Sequence, residues 1–286
     1  MLKRVARLLL IVGGTLVLLM AIVMVWLKVH ETELVFRGAR SREHLLPTLP
    51  ADAERVTVDE ADGVKLAGTV FRAADSGFWV LHLHGNADSA FSPWQVRHCE
   101  ALRRAGFNVL DIDYRGFGET PGEPSEAAMY QDAEAAYQDL LRRGIPEQRI
   151  ILLGHSLGSG PAVYLATLHK AAALVLFGAF TSIPDAAASQ YPYLPVRLAV
   201  GVQFDSLDRI GQVHMPVVIT HSRADTLIPY AHALKLMAAA NEPKRLLTFE
   251  STADGFGGHV DALYEHVDIL RATLASLVPT IPPLPQ

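Results

Sequence analysis

The chain has 286 residues, half of them apolar, with 25 basic and 30 acidic side chains for a formal charge of −5. That balance argues against a polycationic nucleic-acid binder, and the apolar fraction with a mean hydropathy of +0.21 argues against a disordered chain. Its one cysteine, Cys99, permits neither an internal disulfide nor a paired-cysteine zinc site.

The apolar excess is concentrated at the amino terminus, where Leu8 to Leu27 are 20 uncharged residues, 13 of them Leu, Ile or Val. As a helix they span roughly 30 Å, the thickness of a bilayer's hydrocarbon core, and their insertion is favourable by roughly 4 to 8 kcal/mol. Residues 1–28 are therefore predicted to be a transmembrane signal-anchor that contacts the bilayer through residues 8–27. A cleaved signal peptide fits less well, because its apolar region runs about 7 to 15 residues and ends in small side chains. Here the run ends Val25-Trp26-Leu27-Lys28. Lys3, Arg4 and Arg7 favour a cytoplasmic amino terminus and hence a catalytic domain on the non-cytoplasmic side, although Lys28, Arg37, Arg40 and Arg42 oppose that bias. Residues 29–55, with Pro47 and Pro50 and no clear periodicity, read as a stalk.

From residue 56 onward short apolar runs alternate with helical patterns. Phe78 to Leu83, Val109 to Ile112, Ile150 to Leu153, Ala173 to Phe177, Val217 to Thr220 and Arg245 to Phe249 are the predicted strands. The helix after Ser125, its predicted N-cap, carries Tyr130, Ala133, Tyr137, Leu140 and Leu141 on one face. Such alternation implies an α/β domain over 56–278 with a mainly parallel central sheet flanked by helices. Residues 279–286 hold four prolines and are expected to be a disordered tail.

The sharpest motif is Gly154-His155-Ser156-Leu157-Gly158, because it follows an apolar strand and precedes a helical stretch. A strand-to-helix turn this tight strains the backbone at the serine and lifts its hydroxyl above the sheet edge, which makes Ser156 the candidate nucleophile. A serine hydroxyl needs a general base, and partners in this context follow in the order Ser, acid, His. His259 lies in a glycine-rich loop past the last strand, whereas His232 and His266 lie in apparent helices and read as surface or packing residues. Asp225 follows the strand Val217 to Thr220 and is the expected acid; Asp254, on the same loop as His259, is the alternative. The oxyanion needs two donors, expected from the backbone of Leu157 and of Asn86 in the loop His84-Gly85-Asn86-Ala87-Asp88. His82 and His84 lack an accompanying carboxylate or cysteine set, so they read as hydrogen bonders that support this loop and not as metal ligands. The chemistry requires no cofactor.

These residues resemble the α/β-hydrolase superfamily, and more closely the membrane-anchored ABHD-type hydrolases near the serine aminopeptidase-like branch. The resemblance is carried by His84-Gly85-Asn86, Asp113-Tyr114-Arg115-Gly116-Phe117-Gly118, Pro124-Ser125-Glu126, Gly154 to Pro161, Phe180-Thr181-Ser182-Ile183, Tyr191-Pro192-Tyr193-Leu194-Pro195 and Gly258-His259. It implies an α/β-hydrolase fold and Ser156, Asp225 and His259 as the triad. The chain departs from its relatives in carrying His221-Ser222 where His-Gly is common, and Ala87-Asp88 where Ala-Gly is common. Asp88 would repel anionic substrates if it faced the pocket.

The insertion at about 179–208 would form a short lid in related folds, and Phe180, Tyr191 and Tyr193 either line an acyl pocket there or pack the lid onto the body. Location beside a bilayer favours acyl ester or thioester substrates, including lipidic ones. A serine peptidase using the same triad and a non-catalytic membrane scaffold are the competing readings.

Overall fold

The computed structural model describes residues 2–38, 45–46, 48–74, 76–86, 88–250 and 255–282. The strands are β1 (Ala53–Asp59), β2 (Lys65–Phe71), β3 (Trp79–Leu83), β4 (Asn108–Ile112), β5 (Ile150–His155), β6 (Ala173–Phe177), β7 (Val217–Ser222) and β8 (Lys244–Phe249). They form one eight-stranded sheet in the order β1-β2-β4-β3-β5-β6-β7-β8. β1 and β2 are antiparallel, as are β2 and β4, and all other pairs are parallel.

The helices are α1 (Leu2–Val29), α2 (Glu31–Val35), α3 (Pro93–Arg104), α4 (Glu126–Arg142), α5 (Ser159–Leu168), α6 (Ile183–Gln190), α7 (Ser206–Ile210), α8 (Ala231–Ala239), α9 (Ala262–Glu265) and α10 (Val267–Leu277). Successive strand residues point to opposite faces, so each central strand feeds two cores. Leu81, Ile150 and Leu152 pack with Tyr137 and Leu140 of α4, Val163 of α5 and Leu236 of α8. Val80, Ile151 and Leu153 pack with Val96 and Leu102 of α3 and Leu270 of α10. Burial of each such side chain is worth about 1.5 to 3 kcal/mol. The α4 start is as read from sequence: the Ser125 hydroxyl accepts from the Ala128 N–H at 3.1 Å.

Two terminal segments differ from expectation. The described parts of residues 29–55 pack on the domain: Phe36 is buried in the core, Leu46 and Leu49 pack against the second core, and β1 already begins at Ala53. Single apolar plugs carry that docking, and single plugs have no periodicity to detect. At the other end Ile281 is buried and the Arg271 guanidinium donates to the Pro282 carbonyl, so the tail docks as far as it is described. α1 contains the predicted run, and Lys3–Val29 has a mean hydropathy of 2.9 with none of its apolar window buried. Thr15, the polar exception in that run, donates its hydroxyl to the Ile11 carbonyl within the helix. By length and composition α1 is able to cross a bilayer, a test that signal sequences also pass.

Candidate active site

The strand order reverses between β3 and β5, and crevices at such switch points open beyond the carboxyl ends of the strands. Two loops meet there. Ser156 stands at the end of β5 with φ +50°, in the left-handed region that a non-glycine residue enters only under constraint. The turn needs its flanking glycines: a Cβ on Gly154 would lie 2.6 Å from Ala162 Cβ, and one on Gly158 would collide with the Leu83 carbonyl oxygen. Gly85, in the loop after β3, lies so close that a Cβ there would be 3.3 Å from Ser156 Cβ.

Three distant segments are brought together at this turn. His259 Nε2 lies 2.9 Å from Ser156 Oγ, and His259 Nδ1 lies 2.7 Å from Asp225 Oδ2. Facing a carboxylate, Nδ1 carries the proton, which leaves Nε2 to accept from the serine hydroxyl. Asp225 and His259 are buried, while Ser156 is partly exposed. The His259 ring sits over Gly178, whose φ of +57° and missing Cβ leave the space the ring occupies.

Asp225 is itself well supplied with donors. Its Oδ1 accepts from the Leu227 and Ile228 N–H groups at 2.9 and 2.8 Å, and His221 Nε2 is 3.1 Å from Oδ2. Burial alone would raise its carboxyl. The hydrogen bonds from His221 and His259, the His259 charge and the Ile228 N–H together hold it well below the ordinary carboxylate range. Asp254 lies outside the described residues.

His221 thus takes part, a role the sequence reading did not give it. His155, inside the motif, also has a role that the sequence does not reveal. Its Nε2 donates to the His259 carbonyl at 2.9 Å, and its ring stacks on Phe177. Burial, and then the neighbouring His259 and His98, push the His155 imidazole well below its ordinary value, which keeps it neutral. Both contacts bridge long sequence separations and leave no local signal.

The remaining predicted residues are placed as follows. Leu157 is buried at the start of the turn into α5. Asn86 follows Gly85, and its side chain is committed elsewhere: Nδ2 donates to the Val35 carbonyl at 2.6 Å and Oδ1 accepts from the Gly38 N–H at 3.1 Å. Phe180 is buried against Phe204, whereas Tyr191 is 55% exposed and Tyr193 is 93% exposed, so the two tyrosines line no enclosed wall. His82 is held between the Tyr264 hydroxyl and the Gln95 amide, and His84 Nδ1 donates to the Gly85 carbonyl. Among the described residues no group of three or more His, Cys, Asp or Glu side chains is arranged to hold a metal. Asp88 Oδ1 accepts from the Ser89 N–H and the Ser92 hydroxyl, which turns its carboxylate to the entry of α3. His232 is buried and engages Thr181 through Nδ1, and His266 stacks on Phe249; both are packing residues.

A reversed strand order with a strained serine turn at the switch point belongs to one class of enzymes, and the chain is a member of it: the α/β-hydrolase superfamily. Its residues 78–203 match the family described as serine aminopeptidase, S33. An uncharacterized protein of Mycobacterium tuberculosis is 39% identical over 200 residues, which cover 69% of this chain and 70% of that one. The lysophosphatidylserine lipase ABHD12 of Danio rerio is 33% identical over 185 residues, 58% of this chain and 48% of the lipase. Among solved structures the esterase domain of a Rhodothermus marinus protein has the same fold, with a TM-score of 0.59 at 22% identity, covering 77% of this chain and 98% of that one.

Proposed function

We propose that the chain is a membrane-anchored serine hydrolase that cleaves carboxylic esters or thioesters of acyl substrates through Ser156, His259 and Asp225. The observation that carries this reading is the unbroken relay from Ser156 Oγ through the His259 ring to Asp225. In the first half-reaction Ser156 Oγ attacks the acyl carbonyl carbon while His259 Nε2 takes the hydroxyl proton. Backbone N–H groups of Leu157 and Asn86 are the assigned oxyanion donors. Collapse of the tetrahedral intermediate expels the alcohol or thiol, which receives the proton from His259 and leaves an acyl-serine. Water then attacks the acyl-serine with His259 as base, and the carboxylic acid and free Ser156 are released.

Ester chemistry is favoured over amide chemistry by the relatives: one is named a lipase and one structural neighbour an esterase. The family description keeps a peptidase as the second reading. Anchoring through α1 supports acyl substrates held in a bilayer, because sharing a surface raises their effective concentration. A panel of short and long acyl esters, acyl thioesters and aminoacyl arylamides decides between these readings. Esters or thioesters are expected to turn over, and Ser156→Ala to lose on the order of 10⁴ to 10⁶-fold in kcat. Preferential turnover of arylamides would make the chain a peptidase.

A further inference from the structure

The lid does not stand free of the amino-terminal helix. Glu31, two residues past the end of α1, accepts from the Val202 N–H at 2.7 Å and from the Gly201 N–H, and it pairs with Lys28 at 2.6 Å. The end of the lid is therefore fastened at the level where α1 ends. A second contact lies along α1 itself. Leu16, Val17, Met20 and Met24 on the helix, with Pro195 and Leu198 on the lid, line an open apolar groove of about 530 Å³. At about 1.5 Å per residue, Met24, Met20 and Leu16 lie roughly 3, 9 and 15 Å along the helix from Trp26. A lid that reaches this stretch of α1 lies beside the part of the helix predicted to be in lipid.

The side chains at that tip are unusual for water. Leu198 is 85% exposed, Tyr193 93% and Tyr191 55%. The apolar rim continues toward the catalytic loop. Gln190 Nε2 donates to the Thr226 and Leu227 carbonyls, the Thr226 N–H donates to the Phe256 carbonyl, and Leu227 and Phe256 are 39% and 46% exposed. Lys28 and Arg197 are exposed at the two ends of this region, each ion-paired within the chain, with Glu31 and Asp185, and able to exchange those partners for lipid phosphates.

The geometry points to the lid tip, residues 191–198, as a membrane-docking surface whose partner is the phospholipid bilayer. It enters the boundary between headgroups and acyl chains beside α1, with acyl chains filling the groove. Exposed aromatic and aliphatic groups with flanking cations are the pattern that seats a monotopic element about 5 to 10 Å into that boundary. The docked lid turns the rim at Leu227 and Phe256 toward lipid, so that an acyl chain reaches Ser156 from the membrane side.

The inference rests on reading α1 as an anchor, and the test separates the two. Cys99 is buried, and burial together with Asp111 pushes its thiol well above the ordinary value, so the native chain is silent to thiol labels. The full chain is reconstituted in phosphatidylcholine and phosphatidylserine vesicles with an environment-sensitive fluorophore on Leu198→Cys, on Val17→Cys within α1, or on Arg142→Cys at the far end of α4. Emission from positions 198 and 17 is expected to shift to the blue and to be quenched by roughly half or more by brominated lipids, while position 142 responds only to aqueous iodide. Quenching at 17 but not at 198 overturns the docking surface and leaves the anchor standing. Lipid quenching at neither position overturns both. Protection of position 198 from iodide without lipid quenching assigns the face to a protein partner or a second copy and likewise overturns the proposal.

Discussion

Ser156 holds a backbone conformation that costs a non-glycine residue about 1 to 3 kcal/mol, and its neighbours are arranged around the consequence. Asp225 is the clearest case. Because its carboxyl is depressed in the folded chain, its stabilising contribution is complete above about pH 4 and is lost as pH falls from there toward the depressed value. In thermal unfolding the stability gap between the wild type and Asp225→Asn is expected to hold constant from about pH 5 to 8 and to close below about pH 4. A gap that widens in acid would mean the carboxyl is raised and not depressed. Asp225→Asn should also lower kcat by around 10⁴-fold by misorienting the imidazole. For His155 the expectation is smaller and more specific. His155→Phe keeps the stack on Phe177 but strips the donor from the His259 carbonyl, a loss of about 1 to 3 kcal/mol in positioning, so kcat should fall about tenfold or more with KM little changed. His155→Gln, which keeps an N–H, should fall less. A rise in KM at constant kcat would place His155 in substrate binding instead. The meeting of Ser156, Asp225 and His259 was legible because each follows a recognisable strand in a fixed order. His155 acts on His259 across 104 positions, and His221 sits four residues before Asp225, a proximity that residue spacing alone does not mark as a contact; of the two roles open to Tyr191 and Tyr193, their exposure does not support lining a pocket.

Among the elements, the segment between α1 and β1 departs most from its reading as a stalk. Phe36 is buried at an edge-to-face distance of 6.5 Å from Phe204, and Val35 and Gly38 take both ends of the Asn86 amide. Glu126, the acid of the Pro124-Ser125-Glu126 motif, accepts from the Gln203 and Phe204 N–H groups at 2.8 and 2.9 Å, so residues 203–204 and this strap share one packing unit through Phe204. In the full chain Phe36→Ala is expected to cost about 3 to 5 kcal/mol, a large share of the usual 5 to 15 kcal/mol. Thermal unfolding measures this directly. A chain beginning at residue 30 should fold and turn over a soluble ester, and one beginning at residue 39 should be far less stable. Equal melting temperatures for the two would reduce the strap to a tether. The six predicted strands were found within two residues of their ends because apolar runs of buried parallel strands are distinctive. β1 and β2 were missed: β1 is an edge strand in which only Val58 is buried, with Glu54, Arg55 and Asp59 among its residues, and β2 has its apolar run interrupted by Gly68 and Thr69.

At the scale of the molecule, residues 201–204, the strap and the end of α1 gather around the edge of the sheet that carries Ser156. The Glu31 bonds to Gly201 and Val202 and the Asn86 bonds to Val35 and Gly38 tie the amino-terminal segment to that edge from two sides. If α1 is the anchor proposed above, a junction at the opposite edge would hold the site away from the bilayer, whereas this junction holds it beside the surface. Sheet class and site location were readable from alternation and one motif, whereas this placement depends on contacts between residues about 50 to 170 positions apart and has no linear signature. All of it serves the claim that Ser156 is the acylated residue. The most direct measurement is peptide mass spectrometry of the full-length protein after reaction with a fluorophosphonate. One adduct is expected, on Ser156, absent from Ser156→Ala and strongly slowed in His259→Ala. An adduct on any other residue, or undiminished modification of Ser156→Ala, would contradict it.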